Sequence, residues 1–246
     1  MPKALSVFWS SLGTFYSELF TFAGMNLLWF VLSIPIAAVV FLVLAFASSL
    51  FPFLSFLANV TQMGPLLLWF VFFFLLVSPN PVSAGIYYFA NQAARHQLLE
   101  FAYFWAGLRR YFAKSAILFA ISTVGMLAVL FNLSFYVSVP NDYIRLLGIL
   151  FLYLLYFWLS MQLYVLPLVI EYPQRSVLTI LKNAALIALD NPGFTFLVFL
   201  MLLIWSALCL VLSPLVPLAS VAVAGVVQNK ALLSRLEKYG LYQEEQ

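Results

Sequence analysis

The chain has 246 residues, of which 65% are hydrophobic and 8% charged, with 11 Lys and Arg against 8 Asp and Glu for a formal net charge of +3. A soluble domain carries about 25% charged residues, so this chain cannot cover itself for water, and its main solvent is lipid. Its apolar runs are long and continuous rather than alternating segments of about ten residues, which excludes a transmembrane barrel and points to helices.

The opening text, MPKALSVFWSSLGTFYSELF, interrupts its apolar pattern with Ser, Gly, Tyr and Glu18. It lacks the form of a cleaved signal peptide, and the span after it is expected to act as the insertion signal. That first span is placed from about Phe22 to Phe46, with Pro35 kinking it. An uncharged, Phe-rich linker, ASSLFPFLSFLANVTQMG, is expected along the outer interface.

A second apolar run opens near Gly64 or Pro65. One helix from there to Ala94 would be ~45 Å long against roughly 30 Å of hydrocarbon, so Pro79 and Pro81 are expected to break it. The stretch NPVSAGIYYFANQAARHQ (80–97) then reads as the inner half of a kinked element, with Tyr87 and Tyr88 near the headgroups and Arg95 and His96 in water.

Residues 98–114, LLEFAYFWAGLRRYFAK, set Arg109, Arg110 and Lys114 among Phe101, Phe104, Trp105, Tyr111 and Phe112 at helical spacing. They predict an amphipathic helix lying on the inner membrane surface. A nucleic-acid patch also interleaves Arg with aromatics, but so short a stripe beside a span does not read as one.

Span three is expected from about Ser115 to Val137 and span four from about Tyr143 to Ile170, with Pro167 near its inner end. The text QRSVLTILKNAALIALDNP predicts a second surface helix bearing Lys182, ended by Asn191 and Pro192. Span five is GFTFLVFLMLLIWSALCLVL, and span six starts near Pro214 or Pro217 and ends at VVQNK.

Lys and Arg gather at the termini and in two intervals, while the gap around Asp142 carries only Arg145. The positive-inside bias places both termini and both intervals in the cytoplasm. The residues FWSSLGTFYSE (8–18) also align with FWAGLRRYFAK (104–114), and NAALIALDNP occupies the equivalent place before span five. Each unit reads as surface helix, outward span and proline-marked return span. The expected fold is therefore an all-α polytopic bundle of about six spans in one membrane domain, 1–246. Its three hairpin units, 1–97, 98–172 and 173–246, would surround a pseudo-threefold axis, with kinks at Pro35, Pro79, Pro81, Pro167 and Pro217.

Chemistry-bearing residues are few. One His (His96) and one Cys (Cys209) cannot supply a metal centre with dispersed carboxylates, and no Gly-rich phosphate loop occurs. Lys114 beside Ser115 reads as the snorkelling edge of span three rather than as a nucleophile with its base. No cofactor and no catalytic residue is expected. An intramembrane enzyme would need a polar cluster that the linear sequence does not display.

Asn26, Ser33, Gln62, Asn91, Gln92, Asn132, Ser160, Gln162, Gln228 and Asn229 read as helix–helix glue. The alternative is that Asn91, Gln92, Gln228 and Asn229, at matched ends of spans two and six, line a cytoplasm-facing polar vestibule. Trp105, Arg109, Arg110, Lys114 and Lys182 form the candidate partner-docking surface.

Four stretches, MNLLWFVLSIP, NPVSAGIYYFANQAARHQ, FWAGLRRYFAKSAILF and LKNAALIALDNP, resemble in kind and order the YesL-like family of bacterial integral membrane proteins. The chain departs from that pattern by interposing roughly Val39 to Ser78. The resemblance implies a multi-pass protein of the bacterial cytoplasmic membrane, in many relatives encoded near carbohydrate uptake or degradation functions; it supplies no binding residue. The expected function is a non-enzymatic accessory or partner of a carbohydrate uptake system, contacting lipid and transporter subunits but no nucleic acid. The alternative is a self-contained small-solute permease of three hairpins, and association with further copies of itself is left open.

Overall fold

The structure, a computed structural model, describes residues 3–50, 65–95, 97 and 99–241, with the side chains of 36, 37, 39–50 and 65–68 outside the description. The linker after Leu50, with Gln62, lies outside the described residues, as do His96 and the acidic pair Glu244 and Glu245. No strand occurs among the described residues. The helices are α1 (Lys3–Ser17), α2 (Leu19–Leu50), α3 (Pro65–Val77), α4 (Ser83–Ala94), α5 (Ala102–Ser138), α6 (Asp142–Arg145), α7 (Leu147–Glu171), α8 (Val177–Asp190), α9 (Pro192–Val211) and α10 (Leu215–Lys238).

Among the described residues, four segments are long and apolar enough to cross a membrane: α5, α6 with α7, α9 and α10. They become five if α1 and Leu19–Pro35, bent by 95° from each other, count as one. Six spans, the count expected from sequence, are not confirmed: span one enters only through the bent pair, and α3 and α4, expected to form span two, hold 13 and 12 residues, each short of the ~20 a span needs.

Contacts fix the direction of each helix. Lys114 reaches the chain just past the end of α7, Ser122 meets Gln162, and Tyr136 stacks on Phe151, so α5 and α7 are antiparallel. Asn141 turns this hairpin by accepting from the amides of Tyr143 and Ile144. Trp205 bonds the Ser220 carbonyl while Asn191 meets Arg235, so α9 and α10 are antiparallel too. In α2, Phe22 packs on Phe89 and Trp29 bonds Ser83, so α4 returns alongside α2. α3 advances the same way as α4, since Trp69 meets Ser206 and Phe73 meets Phe199, nearer the start of α9.

The three returning helices α4, α7 and α10 pack on one another at the centre, and α2, α5 and α9 stand outside them. Burial follows this order: Ser83–Tyr87, Leu159–Ile170 and Ala219–Asn229 are buried throughout. Small residues make the contact close. Ala222, Ala224 and Gly225 keep α10 slim, and a Cβ on Gly225 would stand 3.3 Å from the Ala90 Cβ. In lipid this van der Waals fit, rather than the hydrophobic effect, holds helices together.

Polar side chains supply the rest. The indoles of Trp29 and Trp69 donate to the hydroxyls of Ser83 and Ser206, and those of Trp158 and Trp205 to the carbonyls of Ser122 and Ser220. Each bond joins two helices. Pro217 lies inside α10, and Asn26 of α2 attends to the turn around it. Its Oδ1 accepts from the amides of Val221 and Ala222 at 2.9 and 2.8 Å, and its Nδ2 donates to the Val216 carbonyl at 2.8 Å. Pro35 and Pro167 likewise sit within helices, while Pro79 and Pro81 occupy the break between α3 and α4, where Asn80 accepts from the Val82 amide.

One boundary is corrected. The surface helix expected over 98–114 and the span expected from Ser115 are one continuous helix of 37 residues, α5, about 55 Å long. No proline separates them, and Gly107, the one residue inclined to break the helix there, is consumed by packing. Tyr88 of α4 lies against Gly107, and Phe104 of α5 lies against Gly85 of α4. Phe104 and Tyr111 are consequently buried against α4 instead of facing lipid. Elsewhere the sequence boundaries differ in kind: α1 turns sharply into α2 at Glu18, and α8 passes into α9 at Asn191 with Pro192 as its first residue.

Candidate functional site

One polar side chain from each central helix converges near the end of the bundle that holds most of the charge. Asn91 of α4 donates through Nδ2 to Oε1 of Glu171, the last residue of α7, at 2.7 Å, and to Oδ1 of Asn229 of α10 at 3.2 Å. Asn229 in turn donates to the carbonyls of Tyr87 and Gly225 at 3.2 and 2.8 Å. Arg95, just past α4, closes the group by pairing with Glu171 Oε2 at 2.5 Å. The carboxylate therefore sits at the mouth of the axis, its side chain 12% exposed, and the amides sit behind it.

Gln228 is fully buried beside Asn229, and among the described residues neither atom of its amide meets a partner in regular hydrogen-bond geometry. The Tyr87 hydroxyl spends its proton on the Leu76 carbonyl at 3.0 Å, tying α4 to the end of α3. Gln92 is only half-buried and stands apart from this group. Of the four residues expected at a vestibule, the structure thus brings Asn91 and Asn229 into direct contact and buries Gln228 next to them. Glu171, one residue past the expected end of span four, is the charged member of the site.

The expected docking residues separate into two groups. Trp105, Arg109, Arg110 and Lys182 are exposed, and Arg109, Arg110 and Lys182 have no ion pair among the described residues. Lys114 differs: its ammonium donates to the carbonyls of Pro173 at 2.6 Å and Arg175 at 2.5 Å. It ties α5 to the α7–α8 connection, where the C-terminus of α7 favours a cation.

A second polar cluster joins the end of α10 to the α8–α9 junction. Asn191 Oδ1 accepts from Lys238 at 2.8 Å and from Arg235 at 3.3 Å. Asp190 accepts from Tyr239 and pairs with Lys238 at 3.2 Å. The Tyr239 hydrogen bond, then Lys238, hold the Asp190 carboxyl below its ordinary value, while burial and Asp190 push the Tyr239 phenol up. The Arg235 guanidinium lies over the Phe194 ring at 3.8 Å. This cluster fastens the last turn of α10.

Among the described residues no three His, Cys, Asp or Glu side chains converge as metal ligands, and Cys209 is a buried free thiol. The axial group is a junction: it locks three helices and leaves Gln228 as its one amide without a regular hydrogen bond among the described residues. Comparison with family models, with curated proteins and with solved structures finds no match to this chain.

Proposed function

We propose that this chain is a non-enzymatic multi-pass membrane protein that serves as an accessory or partner of a carbohydrate uptake system. The observation that carries the reading is the contrast between a filled axis and a reactive surface. From Val221 to Val227 the central helix has no accessible side chain, and the triad at its inner end is spent on helix contacts. Arg109, Arg110 and Lys182, which have no ion pair among the described residues, and the indole of Trp105 instead face outward, where a partner can use them. A permease needs a polar path between its helices, and the packed centre speaks against one. The carbohydrate connection comes from the YesL-like resemblance alone.

Orientation follows the Lys and Arg bias: the end bearing Arg95, Glu171 and Lys182 faces the cytoplasm, and Asp142 with Arg145 faces outward. We read α3 and α4 together as one broken span, which makes six crossings in three hairpins, with α4, α7 and α10 as equivalent return strokes. The meeting of Asn91, Glu171 and Asn229, one from each stroke, supports that reading.

The test is site-specific photocrosslinking in native membranes from position 105. Adducts with transporter subunits, lost when Arg109 and Arg110 are both changed to Glu, are expected. Adducts with lipid alone would overturn the docking assignment.

A further inference from the structure

An open groove of about 520 Å³ runs between the end of α7, α8 and the end of α10. Its apolar lining includes Leu168, Leu186, Ile187 and Leu236, and its polar lining Arg175, Asn183 and Asp190. Arg175 is exposed and has no ion pair among the described residues. The carboxylate at the other end of α8, Asp190, is already held by Tyr239 and Lys238.

The outer face of α8 says which solvent reaches this groove. Ile180, Ala184, Ile187 and Ala188 turn inward, whereas Leu178, Lys182, Leu186 and Leu189 are exposed. Leu178, Lys182 and Leu186 recur every four residues, so a basic side chain sits within an exposed leucine stripe. That arrangement belongs to a helix lying at the bilayer surface, with leucines in the acyl region and the ammonium among headgroups. Leu186 belongs both to this stripe and to the groove, so lipid has direct access to it.

We propose that this groove binds an anionic phospholipid, its acyl chain against Leu168, Leu186 and Ile187 and its phosphate on Arg175, with Asn183 as a further polar contact. The charge complementarity is local. The Arg175 guanidinium has no ion pair among the described residues, the Lys114 ammonium is spent on the carbonyls of Pro173 and Arg175, and the first turn of α8 begins at Ser176. Basic pockets between helices at the membrane surface select anionic headgroups. The site shares α8 with the docking residue Lys182, but the groove itself needs only a membrane.

The experiment is native mass spectrometry of the full chain after extraction from vesicles of equal phosphatidylglycerol and phosphatidylcholine. Retained phosphatidylglycerol is expected to exceed phosphatidylcholine about five-fold, the ratio matching about 1 kcal/mol per basic side chain near an anionic surface. Arg175→Gln should bring the ratio near unity without lowering the unfolding temperature, because Lys114 grips the main-chain oxygen of Arg175. Leu186→Glu, at a position 52% exposed, should abolish retention with Arg175 intact, and Arg145→Gln at the opposite end should change nothing. Equal retention of the two lipids by the unaltered chain, or a preference that survives Arg175→Gln, would overturn the proposal.

Discussion

Asn91 and Glu171 meet across 2.7 Å although 80 residues separate them, and the same Asn91 nitrogen also reaches Asn229, 138 residues away. One side chain thus fastens three helices from three parts of the chain. Asn91→Ala would strip a donor from both a carboxylate and a buried amide oxygen, and the expected cost is about 1–3 kcal/mol. Gln92→Ala, on the same helix but half-buried, should stay within about 0.5 kcal/mol. Thermal unfolding of the two variants in one detergent separates them, and equal losses would remove the triad from the account of stability.

Close packing between α4 and α5 gives a second test. A Cβ on Gly107 would run into the Tyr88 side chain, and one on Gly85 would stand 2.8 Å from the Phe104 carbonyl oxygen. Gly107→Val and Gly85→Ala should each destabilise by about 1–3 kcal/mol through overpacking. Gly13, with open space where its Cβ would be, should accept Ala with no loss and gain up to about 1 kcal/mol from helix propensity. A tolerated Gly107→Val, read by unfolding temperature, would mean that α5 does not press against α4 at this point.

The two lysines of the expected docking surface should react differently. Lys182 is exposed and unpaired among the described residues, whereas the Lys114 ammonium is held by two carbonyls. Brief labelling with an amine-reactive reagent, followed by peptide mapping, should modify Lys182 well before Lys114. Faster modification of Lys114 would show that its grip on the α7–α8 connection is absent in solution.

The Asp190 cluster predicts an acid-sensitive tail. Its carboxyl is held below the ordinary 3.8 by Tyr239 first and Lys238 second. A depressed folded value means that the contribution is fully present above the unfolded value and is lost as pH falls through the folded one. The end of α10 should therefore stay docked at pH 5 and loosen only below about 3.8. Hydrogen exchange of 236–241 reads this directly. In Asp190→Asn the acid step should vanish, and a step that persisted there would belong to another group.

Much of the architecture is legible in the residues, for physical reasons. Continuous Leu, Phe and Val runs announce helices in lipid, and Pro79 and Pro81 announce the break between α3 and α4, because proline removes an amide and clashes with the preceding turn. The continuity of α5 is less visible. Arg109 to Lys114 looks like a surface segment until Gly107 is seen packed against Tyr88, and that contact involves a helix distant in sequence. The count of six is not confirmed at α3 and α4, because each of these helices is too short to cross alone and the packing that would join them into one path is not written in their hydropathy.

The axial group shows the same limit. Asn91 and Asn229 stand out in sequence as polar residues at matched helix ends. Glu171 does not, since a carboxylate at the edge of a span is ordinary until its partners are known. Gln228 and Asn229 are neighbours in sequence with different fates, one without a regular hydrogen bond among the described residues and one bonded to two carbonyls and to Asn91. Only the rotation of α10 decides which is which.

The most direct measurement is affinity capture of the protein from native membranes in mild detergent, with crosslinks mapped to individual lysines by mass spectrometry. The expected result is stoichiometric recovery of carbohydrate-transporter subunits, crosslinked at Lys182 and not at Lys114. Recovery of the protein alone, together with solute flux when it is reconstituted into vesicles, would contradict the accessory reading and the closed axis on which it rests.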